Sequence, residues 1–465
     1  MMKFLLNSSL FLLFSTNILT AQTIVDVLPG NGTLENAIKS SNAGDILQLT
    51  GGAEYTLSSS ASSFGSINKP LTIQAKTGSQ KAIIKLAPSA STTKKYYYFV
   101  INNGAALTLK NLEITGFLKD SAVAASMIMF DASPDPSHSR FGNFRFENCT
   151  FHDFTDCIVN GMKDDEARGS QQDTVFVKNV IAYHANHFLQ YKHVSLHHLE
   201  MSNSTVYSLK GLALKIGKIG YRCVLLHPQK PYIPLTDSTI TPTGFIDHCT
   251  MNDLGDIHGH VQEDNAFHTL TISNCIVTNQ QQFNQPALYF LTPFVQTAVI
   301  IKNTCFWKCA PPNDYVGGTK WIGYQFQDSM TLDPHYKNAS IGDFTLPANS
   351  PLLKVGTDGG PIGDLRWVAN ATSVQNVQNG TNSLSQNYPN PFHSSTNISF
   401  TITNEAEVSL NIFNASGMKI ETLMNENKLP GTYSVSWNAK NCSSGMYIYQ
   451  LKTDEKVETK KMILY

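Results

Sequence analysis

Cationic and imidazole side chains concentrate in one stretch of the 465-residue chain, from Gln190 to Pro231. Glu200 is the only acid in this stretch. Its cations and histidines are Lys192, His193, His197, His198, Lys210, Lys215, Lys218, Arg222, His227 and Lys230. A local excess of positive charge of this kind suits an anionic partner, and we expect that partner to be an acidic polymer.

A second group of side chains has the spacing of metal ligands. Asp256, His258 and His260 stand two residues apart, so on a strand all three side chains would face the same way. They could chelate a divalent cation or supply an imidazole base, and we assign them to a metal site. The alternative is a polar loop that faces solvent. The sequence requires no cofactor, although a divalent cation such as calcium is compatible with it.

The composition excludes several classes of protein. Hydrophobic residues make up 42% of the chain, charged residues 15%, and the formal net charge is -1, so neither general disorder nor a global field for nucleic acid is supported. Low charge together with 30 Gly and 20 Pro is typical of an all-β chain with many turns. We expect no nucleic-acid partner, because no nucleic-acid motif is present.

The elements that would position these side chains come from a repeat in the middle of the chain. Apolar residues stand four and two positions before, and one and three positions after, a recurring anchor residue. The anchors are Asn111, Asn148, Asn179, His198, His248, Asn274 and Asn303. Only Gly244 and Thr304 break the apolar rule.

This repeat predicts a β-solenoid. Each copy alternates with a period of two, as a strand with one buried face does, and the phase slips by one residue at the anchor. Asn suits such a corner because it tolerates left-handed backbone, and stacked corners would form a ladder of amides. We therefore predict an all-β chain, with a right-handed parallel β-helix followed by a small antiparallel β-sandwich.

Several single residues complete this expectation. A short helix that begins at Thr33 should cap the first coil, and Trp367 should seal the last one. The chain has 8 cysteines. Cys149, Cys249 and Cys275 fall at one inward position and should pack in the core, whereas Cys305 and Cys309 could bridge a loop. His184 and His187 should lie beside a corner, either as surface residues or as participants in catalysis.

The C-terminal part of the chain carries an ordered set of motifs between alternating, strand-like segments. The motifs are QNYPNPF at 386–392, SLNIF at 409–413, SGMY at 444–447 and KKMIL at 460–464. Together they resemble the type A C-terminal sorting domain of the type IX secretion system of Bacteroidetes. The resemblance implies that the type IX secretion machinery is a partner and that the protein is secreted or displayed at the cell surface.

The N-terminal residues 1–21 have the pattern of a cleaved secretory signal, with Lys3 before an interrupted apolar run. A membrane anchor would need about 20 consecutive apolar residues. We predict four regions: a signal peptide at 1–21, the β-helix at 22–368, a polar linker at 369–383 and the sorting domain at 384–465. No membrane span should remain after signal removal, and the protein should be a monomer.

Residues 23 to 368 carry a second resemblance. The helix at Thr33 leads into GDILQL at 44–49 and GGAEY at 51–55, and the closing segment contains GDF at 342–344. These features resemble the chondroitinase B-like and alginate lyase-like β-helix proteins of polysaccharide lyase family 6. The resemblance implies an acidic polysaccharide as substrate and β-elimination as the reaction.

In that family a Lys base on one coil and an Arg on the next form the catalytic pair, and many members hold calcium nearby with Asn and Glu side chains. Such a reaction neutralises the sugar carboxylate, removes the C5 proton and protonates the leaving oxygen. Arg222 suits the carboxylate, Lys215 or Lys218 suits the base, and His227 is a second candidate base. The family's Lys-Ser and Arg-His-Gly motifs do not stand at matching places.

Lys192, His193 and Lys210 should bind the substrate. Lys215 and Arg222 are too close in sequence for successive coils, whereas Lys192 and Lys215 are about one coil apart. The sequence leaves open whether the chain is an enzyme, because a noncatalytic glycan-binding or adhesin-type surface protein fits the same features. A hydrolase of pectinase type would need clustered carboxylates. The acids available for one are Asp247, Asp253, Asp256, Glu263 and Asp264.

Overall fold

The structure is a computed structural model that divides into two compact units, with the boundary between Ala369 and Asn370. It describes residues 22–58, 63–76, 80–87, 96–116, 124–131, 139–160, 170–191, 194–210, 213–217, 243–254, 261–264, 269–279, 288–290, 298–309, 315–316, 319–320, 324–368, 383–384, 387, 392, 394–402, 406–428, 431–440, 442–454 and 456–465. The predicted signal peptide lies outside these ranges. Among the described residues, no helix is long and apolar enough to cross a membrane.

The first unit consists mostly of short strands, with one helix near its start, α1 (Thr33–Ser40). In chain order the strands are β1 (Ile24–Val27), β2 (Gly30–Asn31), β3 (Ile46–Leu49), β4 (Glu54–Leu57), β5 (Gly65–Ile67), β6 (Leu71–Ala75), β7 (Ala82–Leu86), β8 (Tyr97–Asn102), β9 (Leu107–Lys110), β10 (Leu112–Thr115), β11 (Ser126–Asp131), β12 (Arg140–Phe141), β13 (Phe144–Glu147), β14 (Thr150–His152), β15 (Val159–Asn160), β16 (Ser170–Lys178), β17 (Ile181–Tyr183), β18 (Leu189–Tyr191), β19 (Val194–Ser202), β20 (Thr205–Leu209), β21 (Leu214–Gly217), β22 (Thr243–Asp247), β23 (Thr250–Leu254), β24 (Val261–Asp264), β25 (Thr269–Ser273), β26 (Ile276–Thr278), β27 (Leu288–Phe290), β28 (Ala298–Lys302), β29 (Cys305–Trp307), β30 (Tyr315–Val316), β31 (Thr319–Lys320) and β32 (Tyr324–Gln327). Short 3-10 turns follow at Ala339–Ile341, Pro351–Leu353 and Leu365–Trp367.

Three parallel sheets form the walls of the β-helix. Sheet A has the order β1-β3-β6-β9-β13-β16-β19-β22-β25-β28-β32, with β12 beside β16. Sheet B has the order β2-β4-β7-β10-β14-β17-β20-β23-β26-β29, and sheet C the order β5-β8-β11-β15-β18-β21-β24-β27. The predicted fold class is confirmed: an all-β chain with a right-handed parallel β-helix and, after it, a small antiparallel β-sandwich.

The inward positions of the repeat fill one apolar core. Leu109, Phe146 and Val177 pair in register from one sheet A strand to the next, and all three are buried. At the N-terminal end, Leu34 and Ile38 of α1 are buried against the same core. The alternation of apolar and polar residues therefore positions every coil by burial of one face.

The cysteines follow the repeat only in part. Cys149, Cys249 and Cys275 are buried in the core as free thiols, as predicted. No disulfide joins Cys305 to Cys309 in the structure, so the predicted loop bridge is absent. The Cys305 thiol instead donates to the carbonyl oxygen of Leu332 at 3.1 Å.

A single residue in the left-handed conformation turns the chain from sheet A into sheet B in successive coils. These residues are Asn111, Asn148, Asn179, Asn203, His248, Asn274 and Asn303, with φ between 43° and 55°. Asn148 Nδ2 donates to Asn111 Oδ1 at 2.8 Å, and Asn203 Nδ2 donates to Asn179 Oδ1 at 2.5 Å. We call this position the first corner, and the predicted amide ladder is present in these pairs.

His198 is not a corner, which corrects the predicted anchor. It lies inside β19, where it pairs with Thr174 of β16, and the left-handed residue of its coil is Asn203. Leu196 and Leu199, on either side of the phase slip, are both buried. The long strands β16 and β19 contain the bend from sheet C into sheet A. The set of residues that faces the core therefore shifts by one position within each of these strands.

Residues 330–368, which follow the coils, fold back along the outer face of sheet B, and we call this segment the strap. Its side chains Leu346, Leu352 and Ile362 form a small second core with Ile276 and Cys305. This apolar contact explains why the outer face of sheet B is covered in the last coils. The strap therefore belongs to the β-helix and stabilises its C-terminal coils.

From Val355 onward the strap runs in the direction opposite to the growth of the coils, whereas Phe344, earlier in the strap, packs against Tyr207 of β20. The carbonyl oxygen of Val355 accepts from Asn303 Nδ2 at 2.8 Å. Farther along the strap, the Arg366 guanidinium donates to the carbonyl oxygens of Asn179 and Val180, at 2.9 and 3.0 Å. The end of the strap thus lies on coils that precede it by more than half of the β-helix sequence.

Trp367 does not seal the last coil, contrary to the prediction from the sequence. Its Nε1 donates to Thr205 Oγ1 in β20 at 2.8 Å, and its ring packs edge-on against Phe344 at 5.8 Å between centroids. Trp367 is therefore part of the strap and covers the outer face of sheet B several coils before the last.

The second unit is a small antiparallel sandwich. Its strands are β33 (Ser383–Leu384), β34 (Ser395–Ile402), β35 (Ala406–Asn414), β36 (Lys419–Lys428), β37 (Gly431–Asn438), β38 (Gly445–Lys452) and β39 (Val457–Leu464). One sheet has the order β33-β34-β37 and the other β36-β35-β38-β39. Trp437 is buried between them, and its Nε1 donates to Glu421 Oε2 at 2.9 Å.

The first prediction concerns the attachment of the strap. Arg366→Ala removes the guanidinium that pairs with Asp364, a carboxylate that is 1% exposed. Because an unpaired buried charge is costly, we expect the free energy of unfolding of the β-helix to fall by about 3 kcal/mol. Arg140→Ala is the matched control, since its pair with Asp173 is largely exposed and should contribute less than about 1 kcal/mol. Equal losses for the two variants in denaturant titrations would contradict this role of Arg366.

The second prediction concerns pH. Burial opposes protonation of His248, but the hydrogen bond to Asp247 at 2.6 Å and the charges of Asp247 and Asp358 outweigh it and raise the His248 pKa. A raised pKa in the folded state contributes stability below the unfolded value of about 6.5. That contribution is lost as the pH rises through the folded pKa.

His248→Asn keeps a residue that tolerates the left-handed corner and removes this titration. Between about pH 6 and pH 8, the wild type should therefore lose up to about 1 kcal/mol more stability than the variant does. Denaturant titrations at both pH values measure this difference. Parallel pH profiles for the two proteins would show that His248 does not contribute.

Candidate functional site

Lys215, a predicted catalytic residue, lies in β21 of sheet C. Its backbone pairs with Gln190 of β18 on one side and with Gln262 of β24 on the other. Lys210, a predicted substrate-binding residue, follows β20; its N–H donates to the carbonyl oxygen of Ala185 at 2.9 Å, and its side chain is exposed. The two lysines thus belong to consecutive parts of one coil.

The other predicted site residues lie outside the described residues. They are Lys192, His193, Lys218, Arg222, His227, Asp256, His258 and His260. Residues 192–193 follow β18, residues 218–242 follow β21 and residues 255–260 precede β24, and these strands are neighbours in sheet C. These eight residues therefore lie in chain connections that adjoin neighbouring strands of sheet C, whereas Lys210 follows β20 of sheet B.

One column of positions crosses the outer face of sheet C. Successive strands pair in register at Val100, Met129, Asn160, Gln190, Lys215, Gln262 and Tyr289. The residues one position earlier, among them Ile128, Val159 and Leu189, are buried in the core. Because side chains alternate along a strand, Met129, Asn160 and Gln190 belong to the outer face, and the paired positions from Asn160 to Gln262 carry polar residue types.

Asn160 and Gln190 are nearly inaccessible although they belong to the outer face. They are 8% and 5% exposed. Asn160 Nδ2 donates to Asp156 Oδ2 at 3.0 Å, and the thiol of Cys157 donates to Gln190 Oε1. Buried amides with hydrogen-bond partners are held in fixed positions. We call the outer-face positions of Asn160 and Gln190 the sheet C recess, a name that refers to their low exposure.

Chain connections are longest beside sheet C. Sheets A and B are joined at the first corner by a single residue, such as Asn111 between β9 and β10. By contrast, residues 117–125 lead into β11, residues 161–169 leave β15 and residues 218–242 leave β21. Loops carry binding and catalytic residues more often than regular elements do, so the distribution of connections favours sheet C as the functional face.

The two histidines that the sequence analysis left at a corner have different positions. His187 is 5% exposed, which excludes the first of the two alternatives, a surface residue. His184 is an exposed left-handed residue with a φ of 49°, and its Nδ1 lies 2.9 Å from Asp153 Oδ1. His184 belongs to a second series of corners, between sheets B and C.

The second series of corners and the stacked aromatic rings beside it were not predicted from the sequence. Its left-handed residues are Asp153, His184, Ser208, Asp253, Asn279 and Lys308. Next to it, the rings of His152, Tyr183 and Tyr207 stack at centroid distances of 4.8 and 4.9 Å. Burial, with the nearby negative charge of Asp153, raises the pKa of Tyr183 and Tyr207. The residue types vary too much along this series to give a repeat signal.

The described part of the sheet C recess does not fit calcium. Calcium takes six to eight oxygen ligands and usually several carboxylates. Asp156 is the carboxylate that contacts the recess amides, and both amides already have hydrogen-bond partners. In the part of the chain that the structure describes, no group of three or more His, Cys, Asp or Glu residues could hold a metal ion.

Two of the acids that a pectinase-type hydrolase would need, Asp247 and Asp253, lie on different sheets. Asp247 lies at the end of β22 in sheet A, where it accepts from Ser273 Oγ at 2.6 Å. Asp253 lies in β23 of sheet B, where it accepts from Ser208 Oγ at 3.1 Å. The separation of these two acids on different sheets argues against that reaction.

Comparison with family models assigns two parts of the chain. Residues 386–465 match the secretion system C-terminal sorting domain, and residues 244–367 match a domain of unknown function, DUF5123. The second match begins in β22 and ends within the strap. The C-terminal unit is therefore a sorting domain, and the chain is exported by type IX secretion to the cell surface or the extracellular space.

Solved β-helix structures resemble the chain only distantly. A PL6 family alginate lyase, AlyGC, aligns with a TM-score of 0.42 and 18% identity over 67% of this chain and 40% of its own. Pectate lyase Pel9A aligns with a TM-score of 0.28 and 12% identity over 72% of this chain and 93% of its own. The chain thus spans less than half of that alginate lyase. No curated protein matches the sequence.

The third prediction concerns export. Deletion of residues 381–465 removes the sorting domain and leaves the β-helix with its strap intact. We expect the truncated protein to fold and to remain in the periplasm, whereas the full chain reaches the cell surface or the medium. Cell fractionation with immunoblotting of both proteins measures this. Surface display of the truncated protein would show that another segment directs export.

Proposed function

We propose that this exported β-helix protein binds an acidic polysaccharide in the sheet C recess and cleaves it by β-elimination, acting as a monomer. One observation carries the proposal: Lys215 stands in register between Gln190 and Gln262, in the most cationic segment of the chain. A polar column with a cation at its centre suits an anionic, hydroxyl-rich polymer.

The geometry of the column suits an extended ligand. Neighbouring strands of a sheet lie about 4.8 Å apart. A chain laid across sheet C would meet Asn160, Gln190, Lys215 and Gln262 in turn, one residue per coil. Amides donate and accept hydrogen bonds at once, as sugar hydroxyls require.

Elimination assigns three tasks to the cations of this face. Arg222 holds the sugar carboxylate, because a planar guanidinium forms paired hydrogen bonds with both oxygens. Lys215 or Lys218, in its neutral form, removes the C5 proton, and the same group or His227 returns a proton to the leaving oxygen. Lys192, His193 and Lys210 bind the sugar units on either side of the cleaved bond.

A divalent cation at Asp256, His258 and His260 remains a separate part of the proposal. Imidazole ligands favour transition metals and zinc over calcium. Such an ion would add positive charge beside β24, where Gln262 lies. Titration of the full chain with zinc or calcium, followed by calorimetry, tests this site without any reaction.

Binding without cleavage is the second candidate function, and the recess amides favour it. Asn160 and Gln190 neither gain nor lose protons, so these two side chains supply contact but no acid or base. Alginate, chondroitin sulfate and pectin are suitable probes for both functions. Ultraviolet absorbance of the unsaturated uronate product separates a lyase from a binder.

The fourth prediction tests the cations. Lys215→Ala, Lys218→Ala and Arg222→Ala, made one at a time, should lower cleavage or binding by at least about tenfold for one variant, a loss of about 1.4 kcal/mol. The control is Lys337→Ala, a surface lysine of the strap with 72% of its side chain exposed. If all three variants equal the wild type on a substrate that the protein uses, the site lies elsewhere, and residues 256–268 become the next target.

A further inference from the structure

Two free thiols lie next to each other in the core, in consecutive coils. Cys249 follows the corner residue His248, and Cys275 follows the corner residue Asn274. Both thiols are fully buried, and the backbone nitrogen of Cys249 lies 3.5 Å from Cys275 Sγ. The N–H of Ile276 donates to the carbonyl oxygen of Cys249 at 2.9 Å, so the two coils are in close register here.

The spacing of these residues suits a disulfide. Thr250 and Ile276, which follow the two cysteines, are paired in register. The Cα atoms of Cys249 and Cys275 are therefore separated by about one strand spacing, roughly 4.8 Å. Disulfides join Cα atoms about 4.4–6.8 Å apart. Both side chains enter the same core from the same position of the repeat, so their Cβ atoms lie on the same side of the sheet.

Cys149 provides an internal contrast. It occupies the same position after the corner Asn148, and it is buried to the same extent. Its neighbours in the adjacent coils are Leu112 and Val180, because Thr150 pairs with the residues that follow them. Cys149 thus has the same environment without a cysteine in the next coil.

We propose that Cys249 and Cys275 form a disulfide between consecutive coils when the chain folds in an oxidising compartment. Export by type IX secretion takes the chain through the periplasm to the cell surface or the extracellular space, and disulfides persist in these compartments. The oxidant is the disulfide of a thiol oxidoreductase or of oxidised glutathione.

The exchange takes place in two steps. One cysteine thiolate attacks a sulfur of the oxidant and releases the first thiol of the oxidant, which leaves a mixed disulfide. The second thiolate attacks the protein sulfur of that mixed disulfide, and the second thiol departs. The protein gains one disulfide, and the oxidant is reduced to two thiols. Since both cysteines are inaccessible once folded, the exchange precedes closure of these coils.

The disulfide would cross-link the two ends of the chain segment that contains β24. The closed loop runs from Cys249 to Cys275 and contains β24, with Gln262 of the polar column, and residues 255–260. Closing this loop lowers the entropy of the unfolded chain. A cross-link in the core would also limit separation of the two coils beside the sheet C recess.

The test uses the full chain, folded once in a glutathione redox buffer and once under reducing conditions. Remaining thiols are alkylated in denaturant, and the protein is digested and mapped by mass spectrometry without reduction. We expect a peptide that joins Cys249 to Cys275 in most of the oxidised protein. We also expect the oxidised protein to melt about 5 °C above the reduced one.

Variants assign the effect to this pair. Cys249→Ala and Cys275→Ala should each abolish the difference in melting temperature between oxidising and reducing conditions, and Cys149→Ala should preserve it. Mapping of the wild type requires no variant, so it decides the question even if a substitution prevents folding. Alkylation of both thiols in wild-type protein from the redox buffer, and in protein exported by the producing cell, would overturn the proposal.

Discussion

The left-handed backbone at the first corner sets the geometry of the first unit. At the first corner, a residue such as Asn148 turns the chain from sheet A to sheet B and keeps the same face inward. Because the turn uses a single residue, the next strand begins at a fixed height and phase. Register is then carried around the coil, and the outer columns of all three sheets follow from it.

Much of this arrangement could be predicted because the same residue type recurs at the same position. The incorrect anchor at His198 shows what the apolar periodicity alone does not determine. All four flanking positions of His198 are apolar, whereas the true corner Asn203 is followed by the polar Ser204, although His198 lies within a strand and Asn203 turns the chain. Only the backbone conformation distinguishes a bend within a strand from a corner between sheets, because both shift the phase of the inward positions by one residue.

The local charge of the sequence predicted which segment carries the candidate site, but the sequence did not predict which residues lie next to each other there. Lys215 was selected from a run of cations, and the structure adds its neighbours in register, Gln190 and Gln262. Asn160, two coils before Lys215, carries no signal of its own in the sequence. The strap was missed for a similar reason: contacts such as Arg366 with Val180 join distant residues that share no periodicity.

The reverse course of the strap has a consequence for the order in which the protein is assembled. Its contacts have large sequence separation, so they form only after the coils from β17 to β29 exist. Interactions that are absent from the folding transition state chiefly slow unfolding. We therefore expect the strap to slow unfolding, because separation of the C-terminal coils requires that Arg366 and Trp367 first leave coils closer to the N-terminus.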